Sequence, residues 1–396
     1  MKTQVAIVGG GPAGLLLSEL LHRQGVDSVV LEKSSRDHVL ARIRAGVLEQ
    51  TTVDVLRNNG LGERMDAQGH AHDGMKIVWA GRDSFFIDCF KHLGKRFMAY
   101  GQTQIQEDLF AAADRRGAIV LTEAEDVRPM AVTSDKPHVL FRHNGESVRL
   151  DCDYIAGCDG FHGVSRKTIP ATHLREFEKA YPFGWLGILS RTAPLPDITY
   201  VNHPRGFALA SMRSPMLSRY YVQVPLEDKV QDWSDDRFWG ELTARFPPEM
   251  ARTIQTGSSI EKSIAPLRSF VAEPMRHGRL FLCGDAAHIV PPTGAKGLNL
   301  AVSDVFYLAR ALAATYHQGH NRLIDGYSAM ALRRVWSSVR TSWYLTNLLH
   351  RFPGASDFDQ RAQETELDYL KASAHAQAAL AEQYAGMPFE PEDSNP

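Results

Sequence analysis

Gln4-Val5-Ala6-Ile7-Val8-Gly9-Gly10-Gly11-Pro12-Ala13-Gly14, continued by Leu15 to His22 and then Ser28-Val29-Val30-Leu31-Glu32, is the stretch that decides the architecture. Gln4 to Val8 reads as a buried strand and Gly9 to Gly14 as a turn. Leu15 to His22 reads as a helix with an apolar face, and Ser28 to Leu31 as a second strand. The glycines are spaced as Gly9-x-Gly11-x-x-Gly14. The first permits a tight turn, the second lets a pyrophosphate approach the backbone, and the third allows close helix–strand contact. The helix N-terminus around Ala13 offers amide donors and the positive end of its dipole, and Glu32 can accept from ribose hydroxyls. A bare glycine pattern can serve packing alone. Two strands, a helix and an acid in register point to a dinucleotide site.

Working outward, Gly101 to Arg116 reads as helical, with Leu109, Ala112 and Ala113 on one face, and Asp153 to Gly157 as a short strand. From about Tyr181 alternating segments appear. Gly206 to Arg213 and Ser218 to Pro225 flank the turn-like Ser214-Pro215-Met216-Leu217, a β-hairpin pattern within an antiparallel sheet. Arg279 to Cys283 returns to strand, followed by Gly284-Asp285 and a helix from about Leu298 to Tyr316. Residues 325–385 read as mostly helical, and Met387 to Pro396 as a tail. Trp336, Trp343, Tyr344 and Leu348 fall near helical spacing and are expected in the core, with a subunit surface as the alternative. The fold class is α/β (α+β). We expect a nucleotide-binding Rossmann-type domain over 1–175, completed by 267–300. An antiparallel-sheet substrate domain over 176–290 and a helical C-terminal region over 291–396 complete the division.

The chain of 396 residues carries 44 basic and 46 acidic side chains, a net charge of -2, so no global field recruits nucleic acid or anionic lipid. Any bound anion must be held by local arginines and backbone amides. Cys89, Cys152, Cys158 and Cys283 form no C-x-x-C pair and lack zinc spacing to histidine, so a reduced setting and no metal are expected. The start is neither a signal peptide nor a spanning helix, and no other apolar run nears the ~18 residues a membrane span needs. A cytoplasmic protein without nucleic-acid or membrane partners is the expectation.

Two further segments separate FAD from NAD. Cys158-Asp159-Gly160, with Ser165 and Arg166 following, resembles the Asp-Gly motif of flavoprotein hydroxylases. Gly284-Asp285-Ala286-Ala287-His288, then Pro291-Pro292 and Gly294, resembles their Gly-Asp motif, in which the aspartate accepts from a ribityl hydroxyl. Together the three motifs imply a flavin protein of the glutathione-reductase-like superfold. The runs Ala41 to Gln50, Tyr181 to Gly187 and His288 to Asn299 resemble the 4-hydroxybenzoate 3-monooxygenase family, a class A flavoprotein aromatic hydroxylase family, and the resemblance spans residues 1–390.

That resemblance implies a full set of roles. The substrate would be 4-hydroxybenzoate, its carboxylate clamped by Ser211, Arg213 and Tyr221. Arginine suits a carboxylate because a guanidinium offers two parallel donors. Its phenol would meet Tyr200 and the Pro292 carbonyl, with Tyr384 and His72 completing a proton relay. A phenol with pKa near 10 costs about 4 kcal/mol to ionise at pH 7, and the phenolate is the form whose ring attacks an electrophilic oxygen. The implied chemistry uses NADPH, with some NADH use, and O2 through a C4a-hydroperoxyflavin, giving 3,4-dihydroxybenzoate. A flavin that swings between reduction and oxygenation positions, triggered by phenol deprotonation, is implied too.

By the same resemblance, FAD would be surrounded by Gly9, Gly11, Ala13, Gly14, Glu32, Arg42, Arg44, Gly46, Val47, Gln102, Asp159, Arg219, Asp285, Lys296, Gly297, Leu298 and Asn299. Pro292-Thr293 would face its ring. The nicotinamide nucleotide would meet Lys33, His38, Arg42, Arg44, His162, Arg166 and Arg268, and the family's homodimer is implied. Lys33 stands where the family pattern has arginine, and Ser34 and His38 replace glutamine and tyrosine. Lysine is no bidentate substitute at a phosphate, so the NADPH preference is expected to be weaker. A flavin hydroxylase for another aromatic acid and a non-catalytic nucleotide-binding protein are the competing readings. Without the resemblance, Ser211 to Arg213 reads as an exposed basic hairpin.

Overall fold

The computed structural model describes residues 1–41, 46–79 and 83–390. The opening stretch folds as read, with the strand Val5–Val8, the helix Pro12–Arg23 and the strand Ser28–Leu31. Val5–Val8 pairs in parallel with Ser28–Leu31 on one side and with Tyr154–Gly157 on the other. Tyr154–Gly157 in turn pairs in parallel with Leu280–Leu282. Both the Asp-Gly and the Gly-Asp motif therefore leave the sheet at the same edge as the glycine turn. All four residues of Val5–Val8 are buried, as expected of a central parallel strand covered on both faces. Helix Pro12–Arg23 turns Leu15, Leu16, Leu17, Leu20 and Leu21 inward against this core.

A second, eight-stranded sheet holds the long antiparallel pair Arg175–Ser190 and Ser259–Glu273 toward one side, inside the short edge strand His288–Ile289. The hairpin strands are Ala208–Ser214 and Leu217–Val224, and Ile198–Asn202 pairs on the outer side of the first. The sheet then takes in Gly74–Trp79, parallel to Ile198–Asn202, and Asp83–Asp88 beyond it. These two strands come from the segment before residue 175, so the second sheet draws on both halves of the chain. A small sheet of Val47–Leu48, Phe97–Ala99 and His70–His72 bridges the two bodies.

The C-terminal third is helical: Gly297–Gln318, Arg322–Leu349, Asp357–Ala372 and Ala374–Ala385. Gly297–Gln318 packs on the first sheet and on Pro12–Arg23, whereas Ala374–Ala385 packs beside the second sheet. Leu348 is buried and Tyr344 half-buried, but Trp336 and Trp343 are 37% and 44% exposed, so the tryptophans are surface and not core. No helix among the described residues is long and apolar enough to cross a membrane.

Candidate active site

The glycine turn is dictated by backbone contact. Gly9 has φ +108, and a Cβ there would lie 2.3 Å from the Cys158 carbonyl oxygen. A Cβ on Gly14 would lie 1.9 Å from the Gly9 oxygen, so helix and strand touch only because both residues are glycine. Gly11, Gly160 and Gly297 are different: a Cβ on any of them meets nothing within 4 Å. They leave open backbone at the loops after Val5–Val8 and Tyr154–Gly157 and at the start of Gly297–Gln318. The first intrahelical bond of Pro12–Arg23 is Leu15 N–H to the Gly11 oxygen at 3.1 Å, which leaves the Ala13 and Gly14 amides available to a phosphate.

Two carboxylates shape this mouth. Glu32 accepts from Gly10 N–H and from Ser34 N–H, each at 2.8 Å, and so ties the glycine loop to the second strand. Asp159 Oδ2 accepts from Val164 N–H at 2.7 Å and Ser165 N–H at 2.9 Å, while its Oδ1 is shut from solvent with no partner. Burial raises the Asp159 pKa. An orphaned acceptor beside open glycine backbone fits a ligand rich in hydroxyls and phosphate. These residues fit FAD.

At the other end of the cradle, Asn299 donates to the Val47 oxygen at 3.0 Å and accepts from Glu49 N–H at 2.9 Å, so it positions Val47. Lys296 departs from expectation. Its ammonium does not face the cradle but is buried against Glu49, the Gln383 carbonyl and, at 3.1 Å, the Tyr384 carbonyl. A buried cation is tolerable only with an anion and acceptors around it, and Glu49 supplies the anion. Pro292 is exposed between the buried Pro291 and Thr293. Its carbonyl accepts from Ala295 N–H at 2.9 Å and keeps one lone pair for another donor.

The substrate residues meet on one sheet face. Tyr200 lies opposite Leu209, which lies opposite Tyr221, and Ser211 lies opposite Arg219. Cross-strand partners share a face and alternate residues return to it, so Tyr200, Ser211, Arg219 and Tyr221 all point the same way. Arg213 follows at a register shift between Met212 and Ser214 and stays within reach of Tyr221 and Arg219. Gly187 makes room, because a Cβ there would come within 2.6 Å of the Tyr221 ring.

The two arginines are not equivalent. Arg219 is ion-paired with Glu261 at 3.0 Å and lies 5.2 Å from the Tyr221 ring centroid, while its Nε and Nη1 are sealed from solvent without a hydrogen-bond partner. Arg213 is half-buried by area, but its Nη1 is sealed from solvent with no hydrogen-bond partner. Burial lowers the Arg213 pKa, with Tyr221, within hydrogen-bond reach, opposing the shift. A buried guanidinium nitrogen without an acceptor is costly, and a carboxylate would satisfy it. Ser211 Oγ donates to the Arg219 carbonyl at 3.1 Å, so its hydroxyl proton is engaged with the strand.

At the opposite pole, Tyr200 and Tyr384 are both buried and their hydroxyls lie 2.9 Å apart. Burial pushes both phenols above their ordinary range. The expected third member, His72, is buried too, but it stacks on Phe97 at 5.3 Å, and Phe97 meets Tyr384 edge-on at 5.2 Å. Among the described residues no hydrogen bond joins His72 to Tyr384. Burial lowers the His72 pKa, so its imidazole is neutral at pH 7 and able to take a proton.

Behind the pocket, His350 accepts from the Trp185 indole N–H at 2.7 Å and donates from Nδ1 to the Thr346 carbonyl at 2.9 Å, which sets its tautomer. It stacks on Phe183 at 4.8 Å and Phe207 at 4.3 Å, and Trp185 leans on Tyr221 at 5.0 Å. Burial lowers the His350 pKa from 6.5 to about 3. The unfolded chain therefore takes up a proton near pH 6.5 that the folded protein refuses until about pH 3. The folded form is favoured above pH 6.5 and loses stability as pH falls through that window, at up to about 1.4 kcal/mol per pH unit. His350→Gln keeps an acceptor for Trp185 but does not titrate. Its unfolding midpoint in urea should fall less steeply than the parent's between pH 6.5 and 4, and parallel curves would refute the assignment.

Of the nicotinamide set, His162, Arg166 and Arg268 gather around Phe161, with ring or guanidinium centres at 5.0, 4.7 and 5.0 Å. Arg166 is committed to Glu176, the Ala286 carbonyl and the Phe161 carbonyl, so it braces this corner and is not a free anion receptor. Lys33 and His38 are exposed beyond the second strand. Arg42 and Arg44 lie outside the described residues. Phe97, Phe161, Glu261 and His350 escape the sequence reading, because their importance rests on partners distant in the chain.

A glycine-rich nucleotide cradle, with a sheet face that carries Tyr200, Ser211, Arg219 and Tyr221, fits a flavin-dependent aromatic hydroxylase. The FAD binding domain family matches residues 2–342. The chain is 51% identical over 392 residues to the p-hydroxybenzoate hydroxylase of Acinetobacter baylyi, covering 98% of this chain and 96% of that one. It is therefore a member of the p-hydroxybenzoate hydroxylase family within the class A flavoprotein hydroxylases. A rifampicin monooxygenase of Streptomyces venezuelae is 29% identical, over 85% of this chain and 67% of its own. The crystal structure of p-nitrophenol 4-monooxygenase from Pseudomonas putida superposes with a TM-score of 0.82 at 17% identity, covering 98% of this chain and 99% of that chain, a likeness of fold.

Proposed function

We propose that this enzyme hydroxylates 4-hydroxybenzoate at the 3 position, giving 3,4-dihydroxybenzoate, with FAD as cofactor and NADPH and O2 as cosubstrates, in aromatic-compound degradation. The observation that carries this reading is the pocket's polarity: an unsatisfied Arg213 nitrogen at one pole and the Tyr200–Tyr384 hydroxyl pair at the other. Arg213, with Tyr221 and Ser211, binds the carboxylate. Tyr200 donates to the phenol oxygen and, through Tyr384, accepts the proton that the phenol gives up. Because burial keeps Tyr200 protonated, its hydroxyl supports the substrate phenolate as a donor and does not ionise in its place. Neutral His72 is the proton's outward acceptor, and Phe97 sets its distance from Tyr384. Pro292 lines the ring face. When bound, FAD supplies electron transfer and oxygen activation; the chain supplies orientation, a dry pocket and the phenolate.

FAD lies along Gly9, Gly11, Ala13, Gly14, Glu32, Gly46, Gln102, Asp159, Asp285, Gly297, Leu298 and Asn299 in this reading. The domain division of 1–175 with 267–300, 176–290 and 291–396 goes with it, the substrate sheet recruiting Gly74–Trp79 and Asp83–Asp88. Product identification after aerobic turnover with 4-hydroxybenzoate and NADPH tests the proposal; any product other than 3,4-dihydroxybenzoate overturns it.

The same reading makes NADPH the preferred donor, with a narrowed margin because Lys33 is a point charge where a bidentate guanidinium would grip a phosphate. The ratio of kcat/KM values should favour NADPH over NADH by about tenfold or less, since one charged contact at an exposed site is worth about 1 kcal/mol. A clear NADH preference would reverse this assignment. A cytoplasmic homodimer completes the proposal, supported by family membership and by Trp336 and Trp343 standing exposed on one helix. Light scattering should return twice the 44.1 kDa chain mass.

A further inference from the structure

Asp304 and His288 are 0% and 1% exposed, and neither belongs to the substrate pocket or to the cofactor contacts described above. Oδ2 of Asp304 accepts the Gly284 N–H at 2.8 Å and meets His288 Nε2 at 2.6 Å. The three residues come from different segments. Gly284, at φ +62, opens the turn Gly284–Ala286 that carries Asp285. His288 opens the short strand His288–Ile289, which leads into Pro291-Pro292. Asp304 lies two turns into Gly297–Gln318, the helix whose open start carries Gly297 and Leu298.

We infer that Asp304 is a positioning residue for the flavin: a single buried carboxylate oxygen sets the Asp285 turn, the Pro292 segment and the Gly297 helix start relative to one another. This rests on the reading that Asp285 and Gly297 face FAD. The chemistry fits the task. A carboxylate oxygen can accept two N–H donors at once, and hydrogen bonds to an ionised acceptor are short and strong. Burial opposes a charged imidazole at His288, but Asp304, with Asp285, outweighs it and raises the His288 pKa. Gly284 matters as well, because its positive φ is a conformation that a side chain would strain, and the bond from Asp304 holds the amide there. A purely packing role needs none of these partners. It would be met by an apolar side chain of the same size, since replacing a buried ion pair with well-packed apolar residues is often neutral or stabilising.

The test compares Asp304→Leu, Asp304→Asn and Asp285→Ala as holoenzymes. FAD release on dilution is read by free-flavin fluorescence, and protein unfolding is read separately by circular dichroism. Asn keeps an oxygen that can accept both donors, so its FAD dissociation constant should stay within about threefold of the parent. Leu removes the acceptor and should weaken FAD at least tenfold, beyond any change in the unfolding midpoint. An Asp304→Leu protein that holds FAD like the parent, whatever its melting point, overturns the inference. So does an Asn variant as weak as Leu, because the shared oxygen would then not be the cause. Asp285→Ala separates the two levels: if it leaves FAD affinity unchanged, the cofactor reading itself fails, whereas a weakened Asp285→Ala beside an unaffected Asp304→Leu sinks only the inference. Should Asp304→Leu fail to fold, His288→Phe, which leaves the Asp304 carboxylate without its imidazole partner, is read against the same tenfold threshold.

Discussion

Arg213→Ala is expected to weaken 4-hydroxybenzoate binding by about 10²-fold or more while leaving the ligand-free protein at least as stable as the parent. The first half follows from chemistry at the carboxylate pole. Two charge-assisted hydrogen bonds at about 1.5–3 kcal/mol each make a loss of 10²- to 10⁴-fold. The second half follows from the unsatisfied Nη1, which lies sealed from solvent without a partner, with the Arg219 charge nearby. Removing that nitrogen relieves a desolvation cost that only bound carboxylate otherwise repays. Titration of the oxidised flavin spectrum reports the affinity, and thermal unfolding without ligand reports the stability. Arg213→Lys should fall between, keeping the charge but losing the fork. An alanine variant that binds 4-hydroxybenzoate like the parent removes the clamp from the mechanism. An alanine variant that binds poorly and also melts many degrees lower would mean that Arg213 is holding the sheet together.

Tyr200→Phe should leave binding within about tenfold and reduce 3,4-dihydroxybenzoate formation by about 10²-fold or more. Ionising a phenol of pKa near 10 at pH 7 costs about 4 kcal/mol, and in the proposed mechanism the Tyr200 hydroxyl is the donor that offsets it. Its hydroxyl meets the Tyr384 hydroxyl at 2.9 Å, so phenylalanine breaks the chain of hydroxyls at its inner end. The pocket should otherwise survive, since the ring edge-on to Tyr384 and tilted to Phe207 loses no contact. Two readouts decide: product yield per NADPH consumed, and the phenolate absorbance of the bound ligand. A variant with normal phenolate and normal yield would show that proton transfer does not pass through Tyr200.

Much of the fold is legible in the sequence because its decisive signals are local. Gly14 is forced by contact with Gly9 and Ile7 within a single strand–turn–helix unit, although the contact that forces Gly9 comes from Cys158 on a neighbouring strand. Alternation within each hairpin strand puts Ser211 with Arg213 and Arg219 with Tyr221, and the cross-strand register then places Ser211, Arg219 and Tyr221 on one face. The clamp is harder. The register shift between Met212 and Ser214 is invisible in the spacing, and so is Glu261, which pairs with Arg219 while buried nitrogens of both Arg213 and Arg219 stay without a hydrogen-bond partner. The relay is harder still. Sequence likeness groups Tyr200, Tyr384 and His72, yet only packing shows an aromatic ring, Phe97, set between the last two. The tryptophans of helix Arg322–Leu349 show the converse error, since helical spacing defines a stripe but does not say which stripe is covered.

The sequence by itself determined a dinucleotide cradle and a β-hairpin, because steric limits on glycine and strand periodicity operate over a few residues, and likeness to a family added the flavin and the aromatic acid. Only the tertiary structure decided which charges are free and which are committed. Lys296 is neutralised by Glu49 from 247 positions away, Arg166 reaches Ala286 across 120, and Asp304 gathers Gly284 and His288 into a contact with no sequence signature. The physical reason is that burying a charge is costly unless a partner meets it, and partners are assigned by where distant segments come together.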